Sequence, residues 1–162
     1  MTVTADPARA LVGAALHGAP GVLNLILDDD LADPRLRVVA GVIRQLTEAG
    51  ATPDPTTVLA HARAIGTVTR AAAVQGFALL LHELVAGCPV PASARFYAVA
   101  VLDEVIRRRC AELATRIGQA VESESLGSLL ALVDAEHRAV RELADRRTAL
   151  ADAPPRLRAV SA

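Results

Sequence analysis

The 162-residue sequence contains no lysine, because all 17 of its Lys and Arg positions are arginine. Lysine completes the phosphate-binding loop of nucleotide hydrolases, forms Schiff bases with carbonyl substrates and activates the serine of Ser-x-x-Lys enzymes. A sequence without lysine cannot form any of these three kinds of active site. We expect a protein that is not an enzyme, does not hydrolyse nucleotides and holds no cofactor.

Aromatic residues are almost as scarce, at 2% of the sequence, and are limited to Phe77, Phe96 and Tyr97. The chain therefore cannot supply the aromatic surface on which single-stranded nucleic acids stack. Its 17 arginines are interleaved with 18 acidic residues, for a net charge of −1. We expect no strong direct binding of nucleic acid. The apolar fraction of 52% predicts a folded domain with an aliphatic core.

Signals for export, membrane insertion and disulfide bonding are also missing. The N-terminal residues show no basic region followed by an apolar one, and the uncharged run 71–82 is shorter than the about 20 apolar residues that cross a bilayer. Cys88 and Cys110 lack metal-type spacing and are predicted to be small buried hydrophobes. The sequence predicts a cytoplasmic protein without a membrane partner.

Helix boundaries are marked clearly in the first half of the chain. Asp-Pro pairs begin at Asp6, Asp33 and Asp54, and this combination caps and starts helices. Glycines that commonly end helices in the left-handed conformation follow at positions 18, 50, 66 and 87. No segment shows the alternation of a strand. The predicted helices lie near 7–17, 21–28, 34–49, 55–65 and 70–86.

The second half predicts two long helices, from 94 to about 122 and from the Ser/Gly break at 123–128 to about 150. Each carries an apolar stripe at helical spacing. The first stripe consists of Val99, Ile106, Cys110, Leu113, Ile117 and Val121, and the second of Leu126, Leu130, Val133, His137, Val140 and Ala144. Ion pairs at i,i+4 are expected on the other surface of the first helix, namely Asp103–Arg107, Glu104–Arg108 and Glu112–Arg116.

Together these patterns predict an all-α fold in one domain over 1–150. A compact head of about five short helices occupies 6–87, a long two-helix hairpin occupies 92–150, and 151–162 form a flexible tail rich in Ala, Pro and Arg. Two helices alone cannot bury amphipathic faces of this length, so the hairpin must pack on the head, on another copy of itself, or on both.

Two short motifs suggest metal sites but are incomplete. His82-Glu83 begins like a zinc-protease helix, yet the second histidine is replaced by Ala86. The acidic run Asp28–Asp30 could offer oxygens to a divalent cation but lacks the glycine-turned loop of a calcium site. For both motifs we favour solvated residues, and we predict no bound metal.

Two further features have a functional and a structural interpretation. His137 lies within an apolar stripe and could make an interface sensitive to pH, although a histidine at the edge of a core or interface is the favoured interpretation. The basic run Arg107–Arg109 could bind phosphate. Because three successive residues point in different directions around a helix, a salt-bridged face is favoured instead.

The order of short segments over residues 8–145 resembles the N-terminal domain of the bacterial replicative DNA helicase, the DnaB family. Arg9–Leu16 is similar to the family's V-L-G-x-x-L helix, and Pro89 falls at its N-x-P-S-A turn. Segments 33–46, 48–50 and 53–59 resemble its H-x-x-I-F helix, its G-x-x-x-D-x-x-T-L turn and the following helix. Segment 75–84 is similar to G-G-x-x-Y-L-x-x-L, and 94–102 to A-x-x-Y-A-x-I-V.

Some positions depart from the family pattern. The paired glycine is Gln75-Gly76, the aromatic after the Asp-Asp pair is replaced at Leu31-Ala32, and the asparagine of the hairpin turn falls at Ser93. The family's chain continues into a RecA-type motor with a Walker loop, which these residues do not include. The departures leave open whether the family's partners are retained.

The resemblance implies a non-catalytic scaffold whose domains pair through their hairpins, three pairs forming a collar that receives primase. We predict a homodimer able to form a ring of dimers, with the replicative helicase or primase as further partners. The predicted dimer interface comprises Ile106, Leu113, Ile117, Leu130, Val133, His137 and Val140. Two alternatives stay open: a part or accessory subunit of an ATP-dependent helicase, and a helical regulatory or ligand-binding dimer unrelated to replication.

Overall fold

The computed structural model describes residues 6–152, whose regular structure is entirely helical. Its α-helices are α1 (Pro7–Leu16), α2 (Pro34–Glu48), α3 (Pro55–Ala64), α4 (Ala71–Ala86), α5 (Ala94–Ser123) and α6 (Leu126–Asp152). Short 3₁₀ segments cover Pro20–Leu25, Asp28–Asp30 and Pro91–Ser93. The predicted all-α class, with a long helical hairpin, is confirmed.

Helix starts follow the Asp-Pro pattern. The carboxylates of Asp6, Asp33 and Asp54 each accept hydrogen bonds from N–H groups in the first turns of α1, α2 and α3. These donors have no partner inside the helix, and proline at the next position removes one donor that would otherwise be unpaired. Local sequence therefore fixes where these three helices begin.

Three of the four glycines predicted to end helices adopt the left-handed conformation. Gly18, Gly50 and Gly66 have φ angles of 92°, 76° and 76°. Gly87 instead has a φ of −87° as the C-cap of α4, so the left-handed prediction is wrong there. The backbone therefore stays in the right-handed region at the end of α4.

The predicted helix at 21–28 is also wrong, because a 3₁₀ segment ends at Leu25, Ile26 and Leu27 are extended, and a second 3₁₀ segment begins at Asp28. Its carbonyl groups bond outside the segment: Arg44 donates to the carbonyl oxygens of Leu23 at 2.8 Å and Ile26 at 3.1 Å. Asp30 in turn accepts from the N–H of Leu27 at 2.7 Å. The tertiary bonds from Arg44 and the local bond to Asp30 replace the backbone bonds that a continuous helix would make.

Helix α1 lies at the centre of the head, with every residue from Ala10 to Leu16 buried. It packs against α2 and α4, which contribute buried aliphatic side chains. The largest fully buried side chains here are Leu11, Leu23, Leu31, Leu36, Ile43, Leu81, Leu84 and Leu102. The core is aliphatic, as predicted from composition.

The chain divides into two compact units, one up to Leu102 and one from Asp103. The second unit contains the rest of α5 and the whole of α6, which together form the hairpin described below. The single-domain organisation expected from the sequence stays a prediction. Helix α6 continues to Asp152, and the rest of the predicted tail, 153–162, lies outside the described residues.

The two cysteines differ in exposure. Cys88 is buried as predicted, and burial raises the pKa of its thiol. Cys110 is exposed on α5, so its prediction as a buried hydrophobe is wrong. Both are free thiols.

No single helix within residues 6–152 is both long enough and apolar enough to cross a membrane. Helix α4 and the segment Pro91–Ser123 pass such a test only as a bent pair, on length and composition. A buried core helix passes the same test, and α4 buries Phe77, Leu80, Leu81 and Leu84.

Candidate functional site

The partial zinc-protease motif on α4 belongs to a helix–helix contact. Glu83 accepts a hydrogen bond from the guanidinium of Arg9 at 2.8 Å, which joins α4 to α1. His82 is exposed to solvent. Among residues 6–152, no group of three or more His, Cys, Asp or Glu side chains is close enough to hold a metal ion.

The acidic run Asp28–Asp30 is held by arginines of α2 rather than by an open ligand site. Asp28 forms an ion pair with Arg44, and Asp29 lies 3.9 Å from the guanidinium of Arg37. Asp30 is 6% exposed and caps its own turn through Leu27. The run therefore attaches the 3₁₀ segments to α2.

The arginines at 107–109 do not form one cationic cluster. Arg107 is exposed, whereas Arg109 reaches across the hairpin to Glu136 on α6. The Nε and Nη2 atoms of Arg109 donate to the two carboxylate oxygens of Glu136 at 2.8 and 3.2 Å. Arg116, two turns further along α5, forms a second ion pair with the same carboxylate. We call these three residues the Glu136 cluster.

Glu136 is buried at 5% exposure, while the side chains of Arg109 and Arg116 remain 40% and 50% exposed. A buried carboxylate requires charged or hydrogen-bonding partners, and here both oxygens have them. Sequence reasoning missed Glu136. The signal that could have found it is its place in the series Leu129, Leu132, Glu136, Leu143 and Leu150, whose spacing is that of an inward helix face.

A third ion pair joins the helices of the hairpin further along. Arg147 on α6 donates to Asp103 on α5 at 2.9 and 3.4 Å, and hydrogen bonding to this carboxylate raises the pKa of Arg147. The expected pairs of Asp103 with Arg107 and of Glu112 with Arg116 are wrong, because Asp103 and Arg116 find partners on α6. Charges connect the two helices instead of neutralising α5 alone.

The seven residues predicted as a dimer interface lie beside this inward face; we call them the hairpin stripe. Its members are Ile106, Leu113, Ile117, Leu130, Val133, His137 and Val140. Leu130 is 55% exposed, His137 is exposed, and the other five are half-buried. Their role as an interface stays a prediction.

Both halves of the hairpin stripe fall on the same side of the hairpin. At about 100° per residue, Leu113 and Ile117 lie about 40–100° around α5 from Arg109 and Arg116. Val133 and Val140 lie a similar rotation, in the same sense, around α6 from Glu136. Because the helices of a hairpin run antiparallel, the same rotation carries both stripes to one side. The result is a continuous, mainly apolar surface.

A wide cleft of about 490 Å³ lies near the hairpin turn. It is lined by Arg116, Gln119, Ala120, Ser123, Glu124, Ser128 and Leu132. Arg116 is engaged by Glu136, and the hydroxyl of Ser123 donates to the carbonyl of Gln119 at 3.2 Å. This cleft does not bring a nucleophile and a general base together among its lining residues.

Comparison with solved structures identifies a close match in fold. The chain is similar to the crystal structure of the N-terminal domain of DnaB helicase from Mycobacterium tuberculosis, with a TM-score of 0.66 and 26% sequence identity. The similarity covers 85% of this chain and 95% of that one. No protein-family model and no curated protein sequence matches the chain. The structural match confirms the resemblance predicted from the order of segments.

Proposed function

We propose, from the DnaB N-terminal-domain-like fold of this chain, that it is a non-catalytic interaction and oligomerisation domain of replicative-helicase type. In this proposal two copies pair through their hairpins, and the dimer, or a ring of dimers, docks replication proteins such as the helicase or primase. The single observation that carries the pairing is the partial exposure of the hairpin stripe along one side of α5 and α6.

The physical argument starts from the cost of leaving this surface in water. Contiguous apolar patches above a few hundred Å² are unusual on soluble monomers and commonly mark interaction sites. Burial of such a surface stabilises a complex by roughly 25 cal/mol per Å² before the costs of association. A symmetric dimer places the same patch of both copies in one interface.

The arrangement of charge supports the same conclusion. The Glu136 cluster and the Asp103–Arg147 pair lie between α5 and α6 and are satisfied inside one hairpin. The adjoining stripe carries only aliphatic side chains and His137. A second copy can therefore cover the stripe without breaking an ion pair or burying an unpaired charge.

Leu113→Asp and Ile117→Asp test the pairing, because each puts a carboxylate into the stripe while its site in the single hairpin is half-exposed. We expect light scattering to give a dimer mass for the wild type at micromolar concentration and a monomer mass for both variants, with unchanged helical circular dichroism. Desolvating an unpaired charge in a dimer interface costs several kcal/mol.

Thr115→Asp is the matched control, since Thr115 is exposed about 180° around α5 from the stripe. It should retain the dimer mass. A monomeric wild type, or folded Leu113→Asp and Ile117→Asp proteins that keep the dimer mass, would show that this surface does not pair the chains.

The docking role has a separate test. The tagged dimer should retain the replicative helicase or primase of its own host, identified by mass spectrometry. Recovery of neither protein by a correctly assembled dimer would remove the replication part of the proposal while leaving the pairing intact.

A further inference from the structure

The α3–α4 side of the head contains a mainly apolar groove. Helix α3 and helix α4 enclose a groove of about 230 Å³ on the surface of the first unit. Its lining residues are Pro55, Thr56, Leu59, Ala78, Leu81, His82 and Val85. No carboxylate lines the groove. Two lie beside it: Glu83 pairs with Arg9, and Asp54 accepts hydrogen bonds from the N–H groups of Thr56 and Thr57.

The groove has the shape of a shallow channel between two antiparallel helices, because the start of α3 and the end of α4 line it together. Leu81, at 1% exposure, forms part of its floor, and Leu59 and Val85 are half-buried. The wall formed by α4 runs from Ala78 to Val85 and extends over about 10 Å, which is the length of roughly two turns of a docked helix. An amphipathic helix bound in this way would insert anchors at i, i+3 or i+4, and i+7.

Charge at one end of the groove indicates what kind of helix fits. Arg63 is exposed one turn beyond Leu59 on α3, where it also borders a shallow cleft with Ala60, Val68 and Thr69. Arg70 is exposed immediately before α4. Within residues 6–152, neither Arg63 nor Arg70 pairs with a carboxylate.

Most other arginines of the head are already neutralised. Arg9, Arg35, Arg37 and Arg44 each pair with an acidic residue of the same unit. Arg63 and Arg70 therefore leave a positive potential beside an apolar channel, and complementary potentials favour and orient association.

A second copy of this chain is disfavoured when the two-fold axis runs along the groove, because Arg63 and Arg70 of one copy then lie close to those of the other and like charges in an interface cost several kcal/mol. Pairing of two copies about another axis is one outcome of the test below. We propose that the α3–α4 groove is a docking site for an acidic amphipathic helix of a partner protein. This site is separate from the hairpin stripe and does not depend on hairpin pairing.

A synthetic probe tests the chemistry directly. Fluorescein-labelled peptides of about 14 residues would carry leucines at i, i+3, i+4 and i+7 with either glutamate or lysine at the remaining positions. Fluorescence anisotropy with the full chain should give a Kd for the glutamate peptide at least about ten-fold lower than for the lysine peptide, and the difference should shrink as salt screens the charges.

The double variant Arg63→Glu and Arg70→Glu should reverse this preference. Both side chains are exposed, so the fold should be retained, and circular dichroism checks this. Arg107→Glu, an exposed reversal in the second unit, is the matched control and should leave the preference unchanged. In a separate variant, Ala78→Glu places a carboxylate in the groove and should weaken binding of the glutamate peptide.

Three results would overturn the proposal. The first is equal binding of the two peptides, or no binding of either. The second is an unchanged preference in the folded Arg63→Glu, Arg70→Glu protein. The third is a change in the oligomeric mass of that variant by light scattering, which would assign the groove to a second copy of the chain. Because Leu113→Asp separates hairpin pairs without touching the groove, its peptide binding distinguishes failure of this proposal from failure of hairpin pairing.

Discussion

Gly13 lies at the contact between α1 and α4, and at the residue scale it has the tightest surroundings of the glycines in the head. A Cβ atom at this position would lie 2.3 Å from the carbonyl oxygen of Leu84 and 2.9 Å from the Cβ of Cys88. The first of these neighbours is backbone and cannot rotate away. The small residue therefore permits α1 to bury its whole length against α4.

Gly13→Ala should lower the free energy of unfolding by about 1–3 kcal/mol or more, because the two helix backbones must move apart to admit one methyl group. Urea denaturation followed by circular dichroism measures the change. Gly76→Ala is the control: its Cβ meets no atom within 4 Å, and alanine favours a helix interior by up to about 1 kcal/mol. A Gly13→Ala protein as stable as the wild type would contradict the packing described for this contact.

The capping aspartates give the head a pH dependence whose direction follows from their pKa values. The side-chain hydrogen bond from Arg35 lowers the pKa of Asp33, and the backbone N–H of Thr57 lowers the pKa of Asp54. A carboxyl group with a lower pKa in the folded state contributes stability above its unfolded pKa of about 3.9 and loses it as pH falls through the folded value. Acid should therefore weaken these caps only below about pH 4.

The double variant Asp33→Asn and Asp54→Asn tests this, since asparagine also caps helices but does not titrate. Melting temperatures from pH 7 to pH 3 should fall less steeply below about pH 4 for the variant than for the wild type. Identical slopes in the two proteins would show that these caps contribute nothing to acid sensitivity.

At the scale of the elements, the hairpin is held by charges placed between its helices. The Glu136 cluster buries one carboxylate and leaves its two arginines half-exposed. Because the arginines can recover hydration and the carboxylate cannot, the cost of breaking the cluster should depend on which member is removed.

Arg109→Met together with Arg116→Met should lower the free energy of unfolding by about 3–5 kcal/mol, since a buried carboxylate then lacks its cations. Adding Glu136→Leu should restore most of this loss. Glu136→Leu alone should cost less than the double arginine change. Urea denaturation at one fixed protein concentration makes the comparison, so that dimerisation affects all variants alike. A triple variant that is no more stable than the double arginine variant would show that the buried carboxylate is not the costly member of the cluster.

Sequence reasoning recovered the elements of this hairpin more fully than its contacts. The ends of α5 and α6 and the apolar stripe were predicted from periodicity and from the Ser/Gly break. The partners of Asp103 and Arg116 were not predicted, because the sequence alone does not distinguish an i,i+4 ion pair from an ion pair across the hairpin. Glu136 was missed because inward helix positions were predicted from hydrophobic residues, and Glu136 is a single acidic residue among leucines.

For the whole molecule, the distribution of charge predicts weak binding to DNA. Affinity for the phosphate backbone grows with the number of cationic contacts, and many arginines here already have carboxylate partners. Those with carboxylate partners among the described residues include Arg9, Arg35, Arg37, Arg44, Arg109, Arg116 and Arg147.

Fluorescence anisotropy with labelled duplex and single-stranded DNA at about 150 mM salt should give dissociation constants above about 1 μM without sequence preference. Two unrelated sequences of equal length serve as controls for one another. A submicromolar dissociation constant, or a clear preference for one sequence, would contradict this prediction.

The sequence by itself determined the features that rest on contacts within about four residues. The Asp-Pro starts of α1, α2 and α3, the left-handed ends at Gly18 and Gly50, and the all-α class follow from hydrogen bonds and torsion preferences inside one turn. These interactions join residues that are close in sequence, so they form whatever surface the helix packs against.

Only the tertiary structure decided what depends on which helices meet. In the packed chain, 3₁₀ turns held by Arg44 replace the helix predicted at 21–28, and Cys110 is exposed. Glu136 is buried, and Asp103 pairs with Arg147. In each case a local interaction competes with a long-range interaction of similar free energy. A surface ion pair and an ion pair across a hairpin contribute similar free energies until burial removes water from one of them. Burial is a property of the packed chain, so it could not be obtained from the order of residues alone.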